Sequence, residues 1–245
     1  MISRVAVIIG LALGVTFIVG CEKREMHIKT VNVSASTIYC RFDPSCAVTI
    51  TDSRTAPIPM QAGGTAVLHS RTFTGQPGTP ASGLYGYEYR LDLGKASETM
   101  VEVDGVATRH RPCLLTFSLE FGPIVETLDY DGDGQAGDAI YVITSGGPGT
   151  IKLGAVHRWR NKLIVNFDTP VCVGPPGGDG HSSYSFGLVS AQPPTSIDAT
   201  LKETAGLAAV PLKYEQLPRA AKLDHHPHYD VPALAPRISP TQEAG

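Results

Sequence analysis

The densest group of chemistry-bearing side chains lies in Leu128-Asp129-Tyr130-Asp131-Gly132-Asp133-Gly134-Gln135-Ala136-Gly137-Asp138. Three carboxylates at alternate positions, with glycines that permit sharp turns, supply hard oxygen ligands converging on one point, which is what Ca²⁺ requires. The expected ligands of a structural Ca²⁺ are the carboxylates of Asp129, Asp131 and Asp133, the backbone carbonyl of Gln135, and Asp138 directly or through water. Without metal, the same residues would make an acidic turn. A helix-loop-helix hand needs helical flanks and a bidentate glutamate at the twelfth loop position, where Ile140 stands. The run Ala139-Ile140-Tyr141-Val142-Ile143-Thr144 that follows is β-branched and aromatic, so the loop is expected to join strands as a hairpin clamp.

A second group of carboxylates lies in Tyr85-Gly86-Tyr87-Glu88-Tyr89-Arg90-Leu91-Asp92-Leu93, the clearest period-2 segment of the chain. Tyr85, Tyr87, Tyr89, Leu91 and Leu93 share one face, expected to be core rather than a sugar-stacking platform. Glu88, Arg90 and Asp92 share the other, expected to be a solvated, charge-laced strand face rather than an acid/base pair. The signatures of serine, metal and phosphate-handling enzymes, Gly-x-Ser-x-Gly, His-Glu-x-x-His and a glycine loop ending in lysine, do not occur. His69, His110, His157 and His181 are scattered over turns and strand ends, and Arg109-His110-Arg111-Pro112 reads as a basic loop. In Asp224-His225-His226-Pro227-His228 three imidazoles could ligate a transition metal, although histidines in a polar tail are commonly incidental.

The elements that must position these residues are short strands. Ile28 to Val33, Ala47 to Thr51, Thr65 to Leu68, Met100 to Val103, Leu115 to Phe121, Ile151 to Val156, Leu163 to Phe167, Ser182 to Leu188 and Ile197 to Leu201 all fit strand patterns. Between them stand turns and loops at Asp52-Ser53, Ala56 to Gly64, Gly75 to Gly83, Asn161-Lys162 and Pro170 to Gly180. The expected fold is all-β, an antiparallel β-sandwich or jelly roll of about ten short strands. The expected division is 1–20 signal peptide, 21–36 lipidated tether, 37–201 β-sandwich and 202–245 a poorly ordered proline-rich tail.

The N-terminus fixes the expected compartment. Arg4 precedes an apolar run from Val5 to Val19, the layout of an export signal and short for a membrane span. Ile18-Val19-Gly20-Cys21 resembles the lipobox of bacterial lipoproteins, which implies cleavage before Cys21 and its lipidation. An ordinary signal peptide or an uncleaved anchor would equally place the body outside the cytoplasm. The position after the cysteine is Glu22, without the aspartate that marks inner-membrane retention in many lipoproteins, so the outer membrane or cell surface is expected. Of the five cysteines, Cys40, Cys46, Cys113 and Cys172 then remain, an even number in an oxidising compartment, with three possible connectivities. Cys40 with Cys46 and Cys113 with Cys172 is the expected pairing, because the first closes a short Asp43-Pro44 turn and the second encloses the acidic loop. A net charge of −3 and the lack of a basic cluster in the body disfavour nucleic acid as a partner.

Ser70-Arg71-Thr72-Phe73-Thr74-Gly75, Tyr87 to Leu93, Leu119-Glu120-Phe121-Gly122-Pro123, Leu128 to Gly134, Val142 to Gly147 and Ser182 to Leu188 occur in that order. In this the chain resembles, over roughly Thr37 to Leu201, an uncharacterised β-rich domain of exported bacterial proteins with a PEP-CTERM-type sorting signal. The resemblance implies export and a β-rich fold but no activity, and the chain ends in Gln242-Glu243-Ala244-Gly245 without that signal's apolar helix. Two functions are expected to compete. One is a non-catalytic, calcium-stabilised lipoprotein module for surface binding, adhesion or envelope architecture, with a glycan or surface protein as partner and the membrane engaged through its lipid. The other is a polysaccharide-active enzyme, a glycoside hydrolase or lyase, on a jelly-roll scaffold whose paired carboxylates leave no local motif.

Overall fold

The computed structural model describes residues 26–60, 64–103, 106–175, 179–204 and 227–238. Cys21, the signal segment 1–20, His225 and His226 lie outside them. In chain order the elements are β1 (Met26–His27), β2 (Thr30–Ser34), α1 (Ala35–Tyr39), β3 (Ile50–Pro59), β4 (Thr65–Thr74), β5 (Tyr85–Asp92), β6 (Thr99–Val103) and β7 (Val106–His110). They continue with β8 (Cys113–Glu120), β9 (Ile140–Ser145), β10 (Leu153–Trp159), β11 (Lys162–Cys172), β12 (Ser185–Ser190), β13 (Pro194–Thr204) and β14 (His228–Pro236).

Twelve of the strands form two six-stranded sheets, and β6 with β7 makes a separate ribbon. The first sheet runs β1-β10-β11-β8-β13-β14 and the second β2-β9-β12-β5-β4-β3. Every named strand pair is antiparallel except β2 with β9, which run parallel. The expected all-β sandwich is therefore present.

Alternation explains its core. Tyr87, Tyr89 and Leu91 point inward from β5 and, with Leu93 just beyond it, share a core with Phe117 and Leu119 of β8, Phe186 and Leu188 of β12, and Val165 of β11. Tyr89 stacks at 5.3 Å from Phe117 and 5.8 Å from Phe186. Its buried hydroxyl donates to the Leu234 carbonyl at 2.6 Å, so the polar tip is satisfied across the sandwich. Truncating such a ring to alanine costs about 3–5 kcal/mol.

A second, smaller core covers part of the outer face of the second sheet. Tyr141, Ile143, Phe73 and Val189 face outward there and are roofed by Ile38 of α1, by Phe42, and by Leu128 and Tyr130. Ser34 caps α1, its hydroxyl accepting the Thr37 amide at 3.0 Å, and Phe42 meets Phe73 edge-on at 4.8 Å.

Both expected disulfides form. Cys40–Cys46 closes the Asp43-Pro44 turn, and Cys113–Cys172 joins directly opposed residues of β8 and β11, closing a sequence separation of 59.

Several expected boundaries are corrected. The stretch from Lys202, expected as a tail, carries the end of β13 and all of β14, whose Val231, Ala233, Leu234 and Ala235 are buried. Its prolines are tolerated because β14 is an edge strand and needs ladder bonds on one side only. For the same reason β3 runs unbroken through the expected Asp52-Ser53 turn and into Pro57 and Pro59. Residues from Met26, assigned to the tether, already pair as β1 and β2. The turn before β11 is Arg160-Asn161, since Trp159 pairs with Lys162. Arg109 and His110 end β7 rather than lying in a loop, and His110 is buried.

Candidate functional site

The acidic loop joins β8 of one sheet to β9 of the other. It is a crossover between the two layers, not the expected hairpin at a sheet edge. Tyr130 anchors it, packing edge-on against Tyr141 at 5.3 Å within the smaller core. Gly132 and Gly134 both take φ of +84°, and a side chain on Gly132 would also meet the Arg41 guanidinium at 2.8 Å.

These turns wrap backbone amides around the carboxylates. Asp129 accepts the Gly132 amide at 2.6 Å and the Gly134 amide at 3.0 Å, Asp131 accepts that of Asp133 at 3.1 Å, and Asp133 that of Gln135 at 2.7 Å. Asp138 is buried, its Oδ2 accepting the Tyr130 amide at 2.9 Å and its Oδ1 the Lys29 ammonium at 2.9 Å. Desolvation of Asp129 is outweighed by the two glycine amides and Arg41, which hold its carboxyl below the usual carboxylate range. The Asp138 hydrogen bond and charge raise the Lys29 ammonium above its ordinary value.

Asp129, Asp131 and Asp138 bring carboxylate oxygens within 4.8 Å of one another, a cluster that could hold a metal ion. Asp133 lies outside that group, its side chain turned to the Gln135 amide. The Gln135 amide donates to the loop and the residue is exposed. The period-2 spacing of the acids is thus only half of the arrangement, and the distant, buried Asp138 completes the cluster.

A second site, which the spacing of residues did not announce, lies on the open part of the same outer sheet face. Strand register places Arg71 of β4 opposite Glu88 of β5, and His69 opposite Arg90. With Tyr89, Pro148 and Ser185 these four residues line a cavity of about 200 Å³. Glu88 is only 3 % exposed, which corrects the expectation of a solvated face. Arg71 Nε donates to Glu88 Oε1 at 2.8 Å, Arg71 Nη2 to the Tyr39 hydroxyl at 2.6 Å, and that hydroxyl to Glu88 Oε2 at 3.3 Å.

Burial pushes the Glu88 carboxyl up from its ordinary value, against the opposing pull of Arg71, Tyr39 and Ser185. Burial and the Glu88 charge push the Tyr39 phenol up to about 12. Burial and then Arg90 lower the His69 imidazole from its ordinary value, against the opposing pull of Asp92. Arg90 donates to Asp92 at 2.7 Å and Ser182 to the same carboxylate at 3.0 Å. Desolvation of Asp92 is outweighed by the Gly94 amide, Arg90 and Ser182, which lower its carboxyl.

Every acid in this patch therefore has its own cation: Arg71 for Glu88 and Arg90 for Asp92. Glu88 and Asp92 stand four residues apart on one strand, about 13 Å along the backbone, and each carboxylate is taken up by its own arginine. The missed signal was the alternation of His69, Arg71 and Phe73 on β4, which becomes informative only once β4 is paired with β5. No family model matches the chain, and no curated protein and no solved structure matches it either.

Proposed function

We propose that the chain is an exported, non-catalytic binding module. It is held at the bacterial envelope, at the outer membrane or cell surface, by a lipid on Cys21, and the open outer face of the second sheet receives its ligand. The observation that carries this reading is the internal neutralisation of that face: a built-in arginine holds each of the Glu88 and Asp92 carboxylates. Two disulfides support life outside the cytoplasm, and the lipobox-like Ile18 to Cys21 supports the tether.

Calcium is the ion that suits the acidic crossover, because its donors are all hard oxygens. Asp129, Asp131 and Asp138 would bind through carboxylates and Gln135 through its carbonyl, with Asp133 turning inward when the ion enters. Its role would be structural, tying the crossover to the smaller core through Asp138 and Tyr130.

The test is a glycan array with the chain from Glu22 to Gly245, since ending at Leu201 would delete β14. Binding abolished by Arg90→Ala, in protein whose circular dichroism shows it to be folded, is expected; saccharides and purified surface proteins all failing to bind would overturn the reading. The polysaccharide-active alternative rests on one observation, the buried Glu88 with a raised pKa at the cavity wall. It requires depolymerisation of a polysaccharide that Glu88→Gln abolishes.

A further inference from the structure

On the face opposite the cavity, the outer side of the first sheet, Trp159 is 44 % exposed at the tip of the β10–β11 hairpin. It is the only tryptophan in the chain. Strand alternation fixes its side: Val156 points into the core, so His157 and Trp159 point outward, and Lys162 stands opposite Trp159. Register then adds β1, with His27 opposite His157 on the outward side, their rings 5.5 Å apart, and Met26 opposite Arg158 on the other side of this edge strand. Met26 is 59 % exposed.

The turn itself is strained. Arg160 takes φ of +56°, a left-handed conformation that few non-glycine residues adopt. This conformation lays its guanidinium over the Trp159 ring at 5.4 Å. An exposed indole with a cation on its face is suited to the headgroup level of a bilayer, where an amphipathic ring keeps one part apolar and another wet.

Chain length decides what covers this corner. Met26 follows Cys21 by five residues, at most about 18 Å of chain, and β1 lies one strand spacing, about 5 Å, from β10. A lipid on Cys21 would therefore hold the hairpin tip against the membrane surface. We propose that the corner formed by Trp159 and Arg160 docks on the phospholipid bilayer that carries the lipid anchor. The inference rests on the tether of the proposed function and adds an orientation to it. With the first sheet's outer corner on the bilayer, the cavity on the opposite face is directed away from the membrane. Local charge contributes little, because Glu120 stands opposite Lys162 and Glu126 lies near Arg158. The indole carries the contact.

The mature full chain, purified with its native N-terminus and reconstituted in phosphatidylethanolamine and phosphatidylglycerol vesicles, provides the test. Mass spectrometry of the N-terminal peptide reports acylation of Cys21, and the fluorescence of the single tryptophan reports Trp159 alone. Docking predicts emission at shorter wavelength than in the lipid-free chain and quenching by phospholipids brominated on their acyl chains. Arg160→Glu should weaken that quenching. Acylated protein whose emission is unshifted and unquenched overturns the docking while leaving the tether intact. A Cys21 without acyl chains overturns the tether and the docking together.

Discussion

The acidic crossover and the Glu88 cluster lie on the same side of the second sheet and solve the problem of a concentrated negative charge in opposite ways. Glu88 is neutralised from within: Arg71, Tyr39 and Ser185 surround it, and the smaller core and α1 help to shut out water. Among the described residues only Asp138 of the crossover has a close side-chain cation, Lys29, while Asp129 has Arg41 at 3.8 Å and accepts two backbone amides. A buried acid without its cation is costly enough that the cation must be part of the fold. An exposed loop can leave that place to an ion from solution. The two sites therefore differ in what their removal should do.

The largest effect should come from Arg71→Met, which strands Glu88 as an uncompensated buried charge. A loss of about 3–5 kcal/mol is expected, roughly 10 °C in melting temperature, with recovery in the Arg71→Met/Glu88→Gln double variant. A single variant melting like the wild type would show that Glu88 is not neutralised from within.

Calcium comes next. At a hundredfold excess over Kd, Ca²⁺ should stabilise the protein by about 2.7 kcal/mol, read as a rise in melting temperature that chelator reverses. Asp131→Asn should weaken the response. Lys29→Met should strengthen it, because the ammonium bonded to Asp138 Oδ1 competes with the ion. Calorimetry showing no heat with Ca²⁺ would remove the contrast between the sites.

Ser34→Ala should cost about 1 kcal/mol by uncapping α1, which carries Ile38 to the smaller core and Tyr39 to Glu88. The effect should be the same with and without Ca²⁺ in parallel thermal melts.

The smallest effect is one of sign. Asp92 has a depressed folded pKa, so its contribution is full above about 3.8 and is lost as pH falls through the folded value. Glu88 has a raised folded pKa, so the folded state binds its proton more tightly and this residue's contribution improves as pH falls from the folded value toward 4.5. Melting curves of Glu88→Gln should lack that improvement, and Asp92→Asn should be less sensitive to acid.

Much of the framework is readable in the residues. The tyrosine stripe of β5, the two disulfide pairs and the acidic loop follow from period-2 alternation, cysteine number and ligand chemistry, all local properties. What escaped depends on neighbours distant in the chain. Glu88 looks solvated until α1 and Phe42 fold over the outer face, and β14 looks disordered because Pro232 and Pro236 hide a strand that only an edge position permits. The hairpin reading of the acidic loop failed because local sequence does not say that β8 and β9 belong to different sheets. Of the expected ligand set, Asp129, Asp131 and Asp138 come together, whereas Asp133 follows the loop's own amides.

The Cys113–Cys172 bond has a mechanical consequence. The ring it closes leaves the first sheet along β8, passes through β9 of the second and returns along β10 and β11, so it ties together strands of both layers. A pulling force applied to the two ends of the molecule can draw out the flanking strands, but the 59-residue separation inside the bond cannot extend, which withholds roughly 200 Å of contour length. The acidic crossover and the Trp159 hairpin both lie inside that ring. Single-molecule stretching should show the oxidised chain gaining that much less length than the reduced one.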